Sequence, residues 1–253
     1  MIFMLLAAAL QGGVEERDLA RHFPGYSACL EVLDTATGRI VRHGGAQCVK
    51  PLSPCSTFKI PNSLIALETG VASGPDFLLK WDGVKRDRPE WNQDHTLRTA
   101  IAVSAVWYYQ ELARRIGMER MQHYVNAFDY GNRDLSSGID RFWLGNSLKI
   151  SAEQQIRFLE RLQVGKLPVS GQAQRVVRDI TMQEWTGGAD YHGKTGSCSS
   201  ADGTQHGWWV GFVTHGEQRH VFAANIIGKN ANGRALRPMV EKALVELAVL
   251  PQR

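Results

Sequence analysis

Long apolar runs are missing from this chain. The one candidate, Ile2 to Leu10, is far too short to span a bilayer, so no stable membrane insertion is expected. It carries small residues at Ala7, Ala8 and Ala9, as the core and cleavage region of a signal peptide do, yet no basic residue precedes it. Residues 1–13 are therefore expected to be a signal-peptide remnant, with the start assigned too far downstream or the signal degenerate; a frayed N-terminal helix is the alternative. Export to the periplasm is the expectation we carry forward. Excess charge is also lacking. The net charge is +4 over 253 residues, and no run of Lys and Arg alternates with aromatics, which excludes an extended nucleic-acid surface and leaves a small-molecule partner. Cysteine is scarce: Cys29, Cys48, Cys55 and Cys198 are compatible with one disulfide in an oxidising compartment, too few for a disulfide scaffold, and their spacing does not say which would pair. There is no Cys-x-x-Cys pair, no His-Glu-x-x-His helix and no ligand spacing among the eight histidines, so no metal is expected. Repeats and low-complexity segments are absent as well. What is present, 43% hydrophobic and 21% charged residues, buries a substantial core as one large domain or two interleaved subdomains.

The chemistry concentrates at Pro54-Cys55-Ser56-Thr57-Phe58-Lys59-Ile60-Pro61, where a hydroxyl and an amine stand three residues apart and so share a helix face. Phe58, Ile60, Leu64, Ile65 and Leu67 continue an apolar helical pattern to Gly70. Pro61 is expected to remove a backbone hydrogen bond and bend this helix just below Ser56 and Lys59. Serine becomes a nucleophile only when a base takes its proton, and a lysine serves as that base only if desolvation lowers its pKa. A bare Ser-x-x-Lys is equally a helix cap beside a solvated lysine, so the rest of the chain must decide.

Tyr26–Asp34 and Arg39–His43 read as two strands joined by a turn ending in Gly38. Residues 71 to 100 carry only short elements. Leu97 to Gly117 is helical with an interruption at Ser104, Met118 to Phe128 is a second helix, and Asp129-Tyr130-Gly131-Asn132 is a turn. The loop from Arg133 to Gly145 holds Phe142-Trp143-Leu144, too apolar for a solvated loop, and is expected to fold back. Ser151 with Gln154 forms a capping box, and Ser170 caps a further helix expected to run to Trp185. Tyr191–Ser197, Trp208–Val213 and Val221–Ile227 read as strands, and Pro238–Leu250 as an amphipathic helix. The fold class expected is α/β of the α+β type: an antiparallel sheet built from N- and C-terminal strands, flanked by helices, with an inserted all-α subdomain.

Ser56-Thr57-Phe58-Lys59, Ser104-Ala105-Val106, Tyr130-Gly131-Asn132 and Lys194-Thr195-Gly196 stand in a fixed order that resembles the class D, oxacillinase-type, serine β-lactamases. Ser-x-x-Lys and Lys-Thr-Gly alone indicate the wider penicillin-recognising group; Tyr-Gly-Asn followed by Phe142-Trp143-Leu144 narrows it. The resemblance implies a β-lactamase/transpeptidase-like fold over residues 14–253 as a single catalytic domain, acting on a β-lactam as monomer or homodimer. By the same resemblance Ser56 is the nucleophile, Lys59 carboxylated by carbon dioxide or bicarbonate is the general base, and no other cofactor is implied. Ser104 would relay a proton to the lactam nitrogen assisted by Lys194, and the N–H groups of Ser56 and Ser197 would form the oxyanion hole. Thr195, Gly196, Lys194 and Arg237 would bind the substrate carboxylate, Tyr130 would shape the substrate site, Trp143 would donate to the carbamate and Val106 would wall it. Read alone, Arg237 is as well a solvated charge, and Trp143 a core residue. Cys55 before the nucleophile and the bulky Trp107, Tyr108 and Tyr109 after Ser104 depart from the pattern and leave the substrate range open. A β-lactam sensor domain that stays acylated, or a peptidoglycan DD-peptidase, are the alternatives; the sensor would bring transmembrane helices and a zinc-protease signature.

Overall fold

The fold is described by a computed structural model covering residues 12–200 and 202–252. The apolar stretch Ile2–Leu10 lies outside the described residues. Strands β1 (Val14–Glu16), β2 (Ser27–Asp34) and β3 (Ile40–His43) are followed by the short helix α1 (Gly45–Cys48), a 3-10 turn over Cys55–Phe58, and α2 (Lys59–Glu68). Two two-residue strands, β4 (Leu78–Leu79) and β5 (His95–Thr96), flank a 3-10 turn at Pro89–Trp91. Helices α3 (Leu97–Val103), α4 (Val106–Ile116), α5 (Met118–Ala127), α6 (Ala152–Gln163) and α7 (Gly171–Ile180) make up the middle of the chain. The strands β6 (Met182–Gln183), β7 (Asp190–Ser199), β8 (Gln205–His215) and β9 (Gln218–Ile227) precede α8 (Gly233–Glu246).

The sheet runs β1-β3-β2-β9-β8-β7-β6. It is mixed, not wholly antiparallel as expected: β1, unforeseen in the sequence, pairs in parallel with β3, while every other neighbour is antiparallel. Period-2 alternation sorts its side chains onto two buried faces. Trp209 and Val213 of β8 join Phe222, Val240 and Leu244 on the α8 side. Trp208, Val210 and Phe212 face the larger core of α2 to α7. The terminal strands β2 and β9 lie side by side, so the helical middle of the chain hangs from one sheet.

Local signals set several boundaries as expected. The Ser151–Gln154 capping box closes both ways, and Gly38 and Gly216 adopt positive φ in their turns. Others moved. Helix α7 stops at Ile180, five residues short of Trp185, because Thr181 turns its hydroxyl back onto the Val177 carbonyl and Met182–Gln183 leave to pair with Tyr191 and His192. The last helix starts at Gly233, capped by Asn232, so Pro238 is interior, not initial, and Arg237 sits within the helix. The cysteines, compatible from the sequence with one disulfide, form two: Cys29–Cys48 ties β2 to α1, and Cys55–Cys198 ties the 3-10 turn to β7. That pairing depends on how the strands and turns meet in space, which sequence spacing does not report.

Candidate active site

The residue before Ser56 sets the geometry. Cys55 has φ 51°, a left-handed conformation uncommon outside glycine, which turns the chain sharply after Pro54 and launches the 3-10 turn. Pro61 lies in the first turn of α2, where the ladder changes from 3-10 to α. Ser56 lies among the first residues of the turn, whose N–H groups have no intrahelical acceptor. Its hydroxyl is 2.8 Å from Lys59 Nζ. Lys59 is fully buried, its Nζ 5.3 Å from the centre of the Tyr109 ring on α4. Burial, then the Lys194 and Arg88 cations, drive its pKa well below the ordinary lysine value.

Ser53, which the sequence reading passed over, anchors this turn. Its hydroxyl donates to the Trp143 carbonyl and accepts from the Gly145 N–H, both at 2.9 Å, and its carbonyl accepts from the Trp208 indole at 2.9 Å. Gln155, a polar residue on the buried stripe of α6, donates to the Thr57 hydroxyl at 3.0 Å. A glutamine on an apolar stripe was the available signal.

Ser104 forms the second wall at the corner between α3 and α4. Its φ is 60°, and no partner for its hydroxyl is found among the described residues. The carbonyl before it, that of Val103, accepts from the Trp91 indole at 3.0 Å, which pins the corner. Val106, half-buried, opens α4. Trp107, Tyr108 and Tyr109 turn into the core, where Trp107 and Tyr108 bond the Trp91 and Phe77 carbonyls. They brace the 77–91 segment behind the cleft.

Strand β7 is the third wall. Lys194 is buried, donates to the Thr195 carbonyl at 3.1 Å, and has its pKa lowered to about 7 by burial and by Arg88 and Arg237. Gly196 is required by proximity: a Cβ there would lie 2.8 Å from the Pro54 carbonyl oxygen. Ser197 accepts the Gly233 N–H at 2.9 Å, joining β7 to the start of α8. From that helix Arg237 spans to Glu241 at 2.8 Å and Gln183 at 2.7 Å, stacked 4.8 Å over the Trp209 ring. It lines a cleft with Lys194, Thr195, Ile101 and Ala102.

The 133–145 loop folds back as expected. Its base is knotted by the Tyr-Gly-Asn turn: Asn132 bonds the backbone of Ser147 and Lys149, and a Cβ on Gly131, at φ 59°, would strike the Lys149 carbonyl. Trp143 is fully buried and stacks on Phe58, centroids 5.5 Å apart, and its indole N–H has no acceptor among the described residues. Tyr130 departs from its expected role in shaping the substrate site. It is wholly buried behind Phe58 with its hydroxyl 3.5 Å from Gln155, so it supports the turn from behind and does not border the cleft.

The ligand atoms of Cys55, Cys198 and His206 lie within 4.8 Å of one another. The two sulfurs are bonded to each other, so this is a disulfide packed on an imidazole whose Nε2 is 3.0 Å from the Ser53 carbonyl.

A hydroxyl–amine pair at the head of a buried helix, closed by a serine corner and a Lys-Thr-Gly strand, can now be set beside known proteins. A family model described as the penicillin binding protein transpeptidase domain matches residues 28–245. The β-lactamase OXA-48 of Klebsiella pneumoniae is 44% identical over 193 residues, 76% of this chain and 72% of its own length. The solved class D β-lactamase BAT-2 superposes with a TM-score of 0.87 at 31% identity, covering 93% of this chain and 98% of that one. The C-terminal domain of the Bacillus licheniformis BlaR penicillin-receptor superposes at 0.91 with 28% identity, covering 95% and 99%. Identity of this order over most of both chains, on the same fold, shows that the chain belongs to the class D, OXA-type, serine β-lactamases.

Proposed function

We propose that the protein, acting through residues 14–253 as one catalytic unit, hydrolyses the β-lactam ring of penicillin-type antibiotics through an acyl-enzyme on Ser56. The observation that carries the reading is the fully buried Lys59 amine 2.8 Å from the Ser56 hydroxyl. Burial favours the neutral form of this amine, and the neutral form can both accept the serine proton and react with carbon dioxide. A carboxyl group on Lys59 supplies an anionic oxygen base at neutral pH. The surroundings fit that group: among the described residues the buried Trp143 indole N–H lacks an acceptor, the Lys194 cation lies close enough to depress the lysine, and the adjoining Phe58 is buried and apolar.

Ser56 Oγ attacks the lactam carbonyl carbon, and the carbonyl oxygen gathers charge against the N–H groups of Ser56 and Ser197. Ser104 passes a proton to the lactam nitrogen as the ring C–N bond breaks. Lys194, poised near neutrality, stabilises that transfer electrostatically, and with Thr195 and Arg237 it holds the substrate carboxylate. The two disulfides support export to an oxidising periplasm. Among the described residues no helix is long and apolar enough to cross a membrane.

The resemblance to the BlaR domain keeps one other reading in play, a receptor that stays acylated. Mass spectrometry after mixing with a penicillin tests both. A transient adduct on Ser56 that decays, and is absent in Ser56→Ala, supports hydrolysis; an adduct that persists for hours supports the receptor, and labelling of Ser56→Ala overturns the nucleophile.

A further inference from the structure

Cys55 directly precedes Ser56, and Cys198 directly follows Ser197, so one covalent bond joins the two backbone segments that carry both oxyanion donors. We infer that the Cys55–Cys198 disulfide is a positioning element of the active site, which sets the separation of the Ser56 and Ser197 N–H groups; the inference rests on the oxyanion assignment made above.

Three features show why a strap is needed at this point. Strand β7 is paired with β8 along its whole length, but on its other edge β6 covers only Tyr191 and His192. From Lys194 to Ser199 that edge has no strand beside it among the described residues, and it faces the 3-10 turn across the contact where Gly196 approaches the Pro54 carbonyl. The turn itself begins at Cys55 in a left-handed conformation, which costs free energy and persists only where the surroundings fix it. The disulfide fixes both sides at once. Beneath it His206, on β8, places Nε2 3.2 Å from Cys55 Sγ and 3.8 Å from Cys198 Sγ, so the bond is held against the sheet and not left free to rotate outward. An oxyanion hole works only when its donors sit about 2.7–3.1 Å from the developing charge, and loss of one donor costs about 10²–10³ in kcat. Loosening one donor should cost less than removing it.

Other cross-linking effects are separable from this one. A disulfide closing so long a loop also stabilises the fold as a whole. Cys29–Cys48, between β2 and α1 and three strand positions from β7 in the sheet, supplies the control for that effect.

The test compares Cys198→Ala, Cys55→Ala and their double variant with Cys29→Ala/Cys48→Ala, all assayed well below their unfolding temperatures. The readouts are penicillin kcat and KM, and the inhibition constant of a boronic acid whose tetrahedral adduct on Ser56 mimics the oxyanion. The expected result is a kcat loss of about tenfold to a hundredfold in each site variant, with KM changed less than about threefold and the boronate weakened in parallel. The double variant should equal either single one, since only one bond is lost, and the control should lose thermal stability but keep kcat. Should the site variants not fold, the Cys29→Ala/Cys48→Ala protein is treated with a phosphine, which takes the disulfide to two thiols as it becomes the phosphine oxide with water; activity should fall likewise and return on re-oxidation. Site variants with kcat and boronate affinity within twofold of the parent, or a control that loses kcat equally, would overturn the inference. Failure of the oxyanion reading is distinguishable, because the boronate would then bind poorly to the parent protein too.

Discussion

Lys59 is a residue whose cost to the fold and use in the reaction have the same origin. Withdrawn from water beside a second buried lysine, its amine is driven toward the neutral form that alone can take a proton or react with carbon dioxide. Penicillin turnover should therefore fall several-fold in degassed buffer at mildly acidic pH and recover when bicarbonate is added. Trp143→Phe keeps the stacking on Phe58 but removes the indole N–H, so it should deacylate slowly and need more bicarbonate; equal rates and equal bicarbonate dependence would remove Trp143 from the mechanism. Lys194 makes the linkage measurable. Its folded pKa of about 7 lies below its ordinary value of 10.5. Between those values the unfolded chain binds a proton that the folded chain refuses, so stability rises with pH across that window and levels off below about 7. Lys194→Met should lower that slope by about 1.4 kcal/mol per pH unit in carbon-dioxide-free denaturant titrations; an unchanged slope would mean the lysine is charged when folded. Arg237 spends donors on Glu241 and Gln183 before any substrate arrives. Arg237→Ala should still raise KM by about tenfold, with a smaller fall in kcat, because a charge-assisted bond to the carboxylate is lost. An unchanged KM would reduce it to a brace for Gln183.

Among the elements, β7 and the Ser56 turn meet backbone to backbone. Gly196→Ala would force a methyl to 2.8 Å from the Pro54 carbonyl, so the strand must retreat from the turn. Activity should fall at least about tenfold, with a smaller relative loss of stability, and a fully active variant would contradict the close approach. The same junction explains what the sequence could reveal. Capping boxes, the Ser56–Lys59 spacing and the strands β7 to β9 were legible because their causes lie within a few residues. The end of α7 was not, since edge pairing with Tyr191 and His192 stops it, and neither was the start of α8, where Pro238 resembles a first-turn proline but sits inside the helix. The left-handed φ at Cys55 was not legible, because nothing in the neighbouring residue types calls for it. Ser53 and Gln155 escaped notice because their partners lie roughly a hundred residues away.

At the scale of the molecule, one sheet brings the N-terminal strand β2, the C-terminal strand β9 and the Lys-Thr-Gly strand β7 together, while the helical middle supplies the other two walls of the cleft. A receptor and a hydrolase can share all of that. What divides them is whether water removes the acyl group, which in the function proposed here is the task of Lys59 with Trp143 beside it. The direct measurement is the number of penicillin molecules opened per molecule of protein in bicarbonate-containing buffer. Many turnovers, with Ser56 free again once substrate is exhausted, are expected; opening that stops at one equivalent, with Ser56 permanently acylated, would contradict the account.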